Sequence, residues 1–285
     1  MYHSVKLFVV SVCANNLKND RKRKMPPIVL TIAGFDPSSG AGTTADIKTI
    51  AAHGCYGVAC ITALTVQTTQ GVKAVQPVAP GLVLDTLEEL VSDVDIAAVR
   101  IGMLGSSDVA DRVADFLSRN RLPNVVLDPI VLSSSGASLL LGQEGLTIMR
   151  KRLIPLATVV TPNLYEAAVL TGTTVTSLPE METAATHLHR MGTPNVVITG
   201  GHLDEATDVL STGAGVEHFR ANLIQSRSTH GTGCAFATAI ACNLALGRGV
   251  RDAVSAAKQF VRDAIEKAHP LGKGFGPPNH LFKFS

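Results

Sequence analysis

The 285-residue chain is 46% hydrophobic, carries a formal net charge of +2 and has no Trp. Its length suits one large α/β domain or two small ones. The few aromatics and the scattered basic residues exclude a nucleic-acid groove, and five cysteines without a C-x-x-C pair or metal-ligand spacing are expected as reduced thiols in a cytoplasmic protein.

Residues 1–24 differ from the rest. Val5 to Cys13 is a short apolar run followed by a basic stretch, Arg21-Lys22-Arg23-Lys24. The run is too short to span a bilayer, and its charge follows the apolar run rather than preceding it as in a signal peptide. Residues 1–24 are expected to be a non-core N-terminal extension, with a mitochondrial-type presequence as the weaker alternative. Residues 25–285 are expected to form a single domain with no membrane association.

The domain opens with an apolar strand from Ile28 to Ala33 that ends at Gly34. A loop over Gly34 to Gly42 holds Asp36 and two serines. A helix follows from Thr43 to about His53, stopped by Gly54. Strands are expected over Val58–Leu64 and Val72–Val78, and Pro80 starts a helix through Val91. Further on come a strand at Ile96–Ile101, a helix at Asp108–Arg119 and a strand at Asn124–Leu127. The pattern continues with a helix at Leu139–Arg152, a strand at Thr158–Thr161 and helices at Asn163–Leu170 and Pro179–Met191. A strand at Asn195–Thr199 precedes a hairpin over Thr207–Phe219. The last helices run from Thr232 to Leu246 and from Val250 to Ala268, the latter with Val250, Val254, Ala257, Val261 and Ile265 on one stripe.

Strands alternating with helices predict a largely parallel, helix-covered sheet, in which ligands bind beyond the carboxyl ends of the strands. Gly34, Asp36, Thr65, Gln67, Met103, Asp128, Asn163 and Gly200-Gly201 sit at those ends. The last piece is Ser228-Thr229-His230-Gly231-Thr232-Gly233-Cys234 at the start of a helix. Its backbone N–H groups and the positive end of the helix dipole make an anion site. Cys234 lies in the first turn, where a thiolate is favoured. An anion cradle beside a candidate base points to phosphoryl transfer, although the same residues also suit a tight turn with an ordinary buried thiol.

Several segments taken together resemble the hydroxymethylpyrimidine/phosphomethylpyrimidine kinases. They are Thr31 to Gly42, Ala45 to Lys48, Ile61 to Gln67 with Gly71-Val72, Ile101 to Leu104, Val126 to Pro129, Thr161 to Ala168, Gly200-Gly-His202, His230 to Cys234, and Gly274 to Pro277 with Asn279-His280. The resemblance runs in order from Ile28 to His280. It implies a ribokinase-like three-layer α/β/α sandwich with a mostly parallel central sheet. It also implies a transferase that uses ATP and Mg²⁺ to phosphorylate 4-amino-5-hydroxymethyl-2-methylpyrimidine and then its monophosphate, in thiamine diphosphate synthesis. A homodimer is implied as well.

The implied roles are specific. Gln67 reads the amino-pyrimidine edge, since one amide supplies donor and acceptor together. The backbone at Gly34 and Thr65 adds bonds, and Ala41, Met103 and Ile130 line the slot. Cys234 is the base, and the N–H groups of Gly231, Thr232, Gly233 and Cys234 hold the moving phosphoryl. Asn163 and Glu166 position Mg²⁺ and phosphate, with Asp128 as a further metal candidate, although Asn163 with Glu166 also reads as a helix capping box. Asp36 and Asp46 are expected to be structural, bonding loop amides and the helix start, and His230 to order the anion loop.

The chain departs from the family pattern at three places. Thr199 and Ser134 stand where lysines are common, and Ser38-Ser39-Gly40 replaces Ser-Gly-Gly. Arg227 and Lys273 are the candidate substitutes for the missing charge. A pyridoxal kinase and a non-catalytic pyrimidine sensor are the alternatives.

Overall fold

The computed structural model describes residues 25–131, 142–201 and 205–284. They build one nine-stranded sheet in the order β3-β2-β1-β4-β5-β6-β7-β8-β9. The strands are β1 (Ile28–Phe35), β2 (Tyr56–Thr68), β3 (Gly71–Pro77), β4 (Ile96–Ile101), β5 (Val125–Leu127), β6 (Val159–Val160), β7 (Asn195–Ile198), β8 (Asp208–Thr212) and β9 (Gly215–Phe219). β2, β1, β4, β5, β6 and β7 run parallel, while β3, β8 and β9 are added as antiparallel hairpin strands.

The helices are α1 (Gly42–Ala52), α2 (Pro80–Asp93), α3 (Ser107–Asn120), α4 (Gly142–Ile148), α5 (Leu164–Thr171), α6 (Leu178–Arg190), α7 (Thr232–Ala245) and α8 (Val250–Glu266). The central parallel strands are buried on both faces, so alternate residues feed two separate cores. Leu30, Ile32, Val99, Ile101 and Leu127 pack against α2, α3, α5 and α6. Val29, Ala98, Val126 and Val159 pack against α7 and α8 on the other face. This is the expected three-layer α/β/α sandwich, and a strand covered on both faces must read as a nearly continuous apolar run.

Two local differences bear on function. β2 runs four residues past the expected end at Leu64, because β3 pairs with it as far as Thr68↔Gly71. Beyond Phe35↔Leu64, β1 no longer pairs, and β2 with β3 continues as a two-stranded ribbon. Thr65 and Gln67 therefore lie within a strand and not at its end. The helix expected over Leu139–Arg152 is α4, which widens to a π turn at Met149–Leu153 and tightens to a 3₁₀ turn at Ile154–Leu156 around Pro155. Its first expected residues lie outside the described ones. Among the described residues no helix is long and apolar enough to cross a membrane.

Candidate active site

The carboxyl ends of the parallel strands meet on one edge, where α7 also begins. Gly231 caps α7 in the left-handed conformation (φ 79°), with no side chain bonding the first turn. A Cβ on Gly231 would lie 1.9 Å from the Gly40 carbonyl oxygen, so the two glycine loops pack backbone to backbone. A Cβ on Gly233 would meet nothing within 4 Å. The first turn of α7 thus faces open space, which is the geometry an anion needs at a helix N-terminus.

Beneath that turn lies a buried cluster of charges. Arg100, the penultimate residue of β4, is wholly buried. Its Nη1 donates to Asp46 Oδ2 at 3.1 Å and its Nη2 to Asp128 Oδ2 at 2.7 Å. Asp46, on α1, also accepts from Thr31 Oγ1 at 2.6 Å and from Thr238 Oγ1 at 2.7 Å. Thr238 Oγ1 also donates to the Cys234 carbonyl oxygen at 2.7 Å, which ties the cluster to the first turn of α7, and the Arg100 and Asp128 charges both act on the Cys234 thiol. Burial pushes the Cys234 thiol up to about 12; Arg100 pulls it down, and the Asp128 and Asp46 charges add to the rise. The expectation that helix position alone favours a thiolate is therefore corrected. Here burial is the largest influence on the thiol.

Asp46 also departs from its expected role. It does not bond the helix start but anchors Arg100, which the sequence reading passed over. An arginine inside Ile96-Ala-Ala-Val-Arg-Ile101 was the available signal, since a buried guanidinium demands acid partners.

At the next strand end, Asn163 caps α5 and accepts from Glu166 N, while Glu166 Oε2 accepts from Asn163 N, each at 2.9 Å. This is the capping box that the spacing allowed. Burial and then the Asp128 charge raise Glu166 to about 8, against bonds from the Asn163 and Val131 N–H groups. Asp128 is raised to about 6, by burial first, with Arg100 opposing. Asp128 is raised further by the Asp46 charge, while its own charge raises Glu166. Among the described residues no group of three or more His, Cys, Asp or Glu converges as a metal site.

The opposite side of the edge is a relay of hydrogen bonds that ends on a buried carboxylate. Thr65 Oγ1 donates to Gln67 Oε1 at 3.1 Å, Gln67 Nε2 meets His230 Nε2 at 3.1 Å, and His230 Nε2 meets Asp36 Oδ2 at 2.8 Å. Asp36 accepts from the Ser38, Gly40 and Ala41 N–H groups, as expected of a loop-ordering acid. Burial would raise its carboxyl, but the bonds from His230 and Ser38 outweigh that and lower it. Gly34 packs against the Met103 methyl: a Cβ there would lie 2.2 Å from Met103 Cε. Ile130 is half-buried two residues past Asp128, its N–H bonded to the Asp128 carbonyl at 2.8 Å.

The ribbon is tied down at its tip. Phe275 N donates to Thr69 O at 2.9 Å and Gly276 N to Arg227 O at 2.9 Å, while His230 N donates to Gly276 O at 3.0 Å. The C-terminal segment thereby straps ribbon to anion loop. Arg227 Nη2 donates to Lys273 O at 3.2 Å, and both side chains are exposed at this rim. Thr199 bridges Asn163 through backbone and adds no charge. Ser134 and His202 lie outside the described residues.

An αβα sandwich with a glycine-capped helix facing open space, and acids at the neighbouring strand ends, defines a ribokinase-like small-molecule kinase. Residues 36–279 match the phosphomethylpyrimidine kinase family. The chain is 42% identical over 256 residues to a hydroxymethylpyrimidine/phosphomethylpyrimidine kinase of Streptomyces coelicolor, covering 90% of this chain and 94% of that one. It is 43% identical over 255 residues to the thiamine biosynthesis bifunctional protein ThiED of Geobacter sulfurreducens, covering 89% of this chain but 52% of that protein, about half its length. The fold overlays an ADP complex of Bacillus subtilis pyridoxal kinase at a TM-score of 0.83 and 34% identity, covering 91% of this chain and 100% of that one. It overlays a phosphomethylpyrimidine kinase of Clostridium difficile at 0.75 and 35%, covering 84% and 99%. The chain belongs to the phosphomethylpyrimidine kinase family.

Proposed function

We propose that the protein phosphorylates the hydroxymethyl group of 4-amino-5-hydroxymethyl-2-methylpyrimidine, and then the monophosphate, with ATP as donor. The observation that carries this reading is the buried Cys234 in the first turn of a glycine-capped helix that faces open space. The pyrimidine lies with its amino edge on Gln67, bounded by Gly34, Thr65, Ala41, Met103 and Ile130. Cys234 takes the proton of the substrate hydroxyl, a role that requires Arg100 and the helix start to draw its thiol down in the substrate complex from the value that burial imposes. The hydroxyl oxygen bonds the γ-phosphorus and the bond to ADP breaks. The N–H groups of Gly231, Thr232, Gly233 and Cys234 hold the charge that develops on the phosphoryl oxygens, and removing one such donor typically costs about 3 kcal/mol of transition-state stabilisation.

Asp128, Glu166 and Asn163 are hard oxygen donors of the kind Mg²⁺ takes, and two carboxylates suffice where phosphate and water complete the shell. Bound there, Mg²⁺ supplies positive charge against the phosphates. It also favours the charged forms of both acids, whose raised values are what an electropositive ligand would reverse. Arg227 and Lys273 supply the rim charge in place of the absent lysines.

The test is ADP release with Mg²⁺–ATP and three acceptors in parallel: the hydroxymethylpyrimidine, its monophosphate and pyridoxal. Turnover of both pyrimidines is expected. The overlay on pyridoxal kinases favours pyridoxal as the second reading, and preference for pyridoxal would replace the first. Binding of both pyrimidines without any ADP release would indicate a sensor. Residues 25–285 act as one kinase unit in the cytoplasm as a homodimer. A truncation at Met25 with full turnover and a dimer mass by light scattering are expected; loss of turnover on truncation would show the first 24 residues to be part of the unit.

A further inference from the structure

We propose that Arg100 is a positioning residue for phosphoryl transfer: its guanidinium fixes the Asp128 carboxylate on one side and, on the other, Asp46, which holds the first turn of α7, and with it Cys234, through Thr238. The inference rests on the reading of Cys234 as the base.

Three observations carry it. First, the guanidinium spans two elements of the site. Nη1 is held on α1 by Asp46, and Nη2 just past the end of β5 by Asp128. Asp46 is itself fixed by Thr31 on β1 and Thr238 on α7, and the same Thr238 hydroxyl donates to the Cys234 carbonyl oxygen at 2.7 Å. A displacement of any of these elements is transmitted to the first turn of α7 through this set of bonds.

Second, the chain makes room for that plane. A Cβ on Gly102 would lie 1.9 Å from Arg100 Nη1 and 2.7 Å from Cζ, so the backbone after β4 rests directly on the guanidinium. Third, the arrangement is a poor way to stabilise a fold. Arg100 Nε is buried without a hydrogen-bond partner among the described residues. Buried ion pairs are commonly replaced by apolar side chains at no loss of stability. Their position against the candidate base is what distinguishes these charges from ordinary buried pairs. Lysine would keep the charge but not the planar fork that serves two carboxylates at once.

The experiment is a double-mutant cycle on the full chain with Arg100→Lys, Cys234→Ala and the pair. Steady-state ADP release is read with the hydroxymethylpyrimidine, together with its Kd by calorimetry, well below each variant's Tm. Arg100→Lys is expected to lower kcat about tenfold or more with Kd changed less than about twofold, and to add less than about twofold in the Cys234→Ala background. Unchanged kcat in Arg100→Lys would overturn the proposal, as would an effect that multiplies in full onto Cys234→Ala. Wild-type turnover in Cys234→Ala alone would instead overturn the reading of the base, and with it this one. Should Arg100→Lys fail to fold, Asp46→Asn loosens the anchor without touching the sulfur. It is expected to lower kcat about threefold or more at unchanged Kd, and unchanged kcat in a folded Asp46→Asn would overturn the proposal.

Discussion

The two halves of the candidate site are built on opposite physical plans. On the α7 side, Asp46, Arg100, Asp128 and Cys234 are locked together by charge, with Arg100 and Asp46 wholly buried. On the ribbon side, Thr65, Gln67, His230 and Asp36 form a mostly neutral relay, with Leu64 and Val66 half-exposed beside it. The difference teaches that one half is preorganised by the core and the other by a strap. Charges in a dry setting fix geometry before any ligand arrives. Neutral bonds at a rim can re-pair with a substrate edge at small cost, since a net hydrogen bond is worth about 1 kcal/mol. The α7 side should therefore control kcat and the ribbon side KM.

The sharpest test of that division is Cys234→Ala, which is expected to lower kcat by about 10²–10⁴-fold, the span of a lost general base. Stopped assays at saturating pyrimidine read it, and a KM effect alone would break the comparison. Gln67→Leu should do the reverse. Losing both amide bonds and leaving the ligand edge unpaired corresponds to about 1–3 kcal/mol, so KM for the pyrimidine is expected to rise about 5- to 150-fold, with kcat much less affected.

A third variant asks whether the strap matters. A Cβ on Gly274 would lie 1.9 Å from the Thr69 carbonyl oxygen, which cannot yield as a side chain would. Gly274→Ala should free the ribbon tip, raising KM several-fold, on the order of 1 kcal/mol, while kcat holds. Limited proteolysis near Thr69-Gln70 would report the release, and an unchanged cleavage rate would show that the strap does not hold the ribbon.

His280 offers a pH-dependent version of the same question. It is buried beneath the loops with no partner for Nε2 among the described residues, and burial, then Lys48 and His230, lower it to about 3. A histidine with a depressed folded value is neutral in the native state while the unfolded chain takes up a proton below about 6.5. The unfolded state then binds more protons, so stability falls as pH drops from about 6.5 toward 3, at about 1.4 kcal/mol per pH unit. His280→Gln should remove one proton's worth of that slope in urea titrations at stepped pH. An unchanged slope would mean that His280 titrates normally.

The smallest expected effect is a gain. Ser39 holds φ 60° in the loop where Lys48 Nζ donates to its carbonyl at 2.5 Å. A left-handed non-glycine residue carries about 1–2 kcal/mol of strain, of which glycine gives back part through the unfolded chain. Ser39→Gly is therefore expected to raise stability by about 0.5–1 kcal/mol with activity unchanged, read from the urea midpoint.

Much of this was legible in the chain alone. Apolar runs ending in glycine or in Asp-Pro located the parallel strands, because a strand covered on both faces needs continuous burial and the turn beyond it needs special backbone. Gly231 to Cys234, the Asn163/Glu166 pair and Asp36 as a loop-ordering acid were visible as local spacings, because caps and tight turns act within a few residues. The extension of β2 past Leu64 was not, since it depends on pairing with β3. Nor was the tie between Gln67 and His230, 163 residues apart.

The state of Cys234 belonged to the tertiary structure altogether. The helix start favours a thiolate, but burial beside Asp46 and Asp128 raises the thiol to about 12 against the pull of Arg100, and those groups come from three distant segments. What the sequence determined by itself was the order of the elements and the chemistry available at their ends. What only the tertiary structure decided was which charges share a dry space, because desolvation and Coulomb energy depend on distance through the fold and not on distance along the chain.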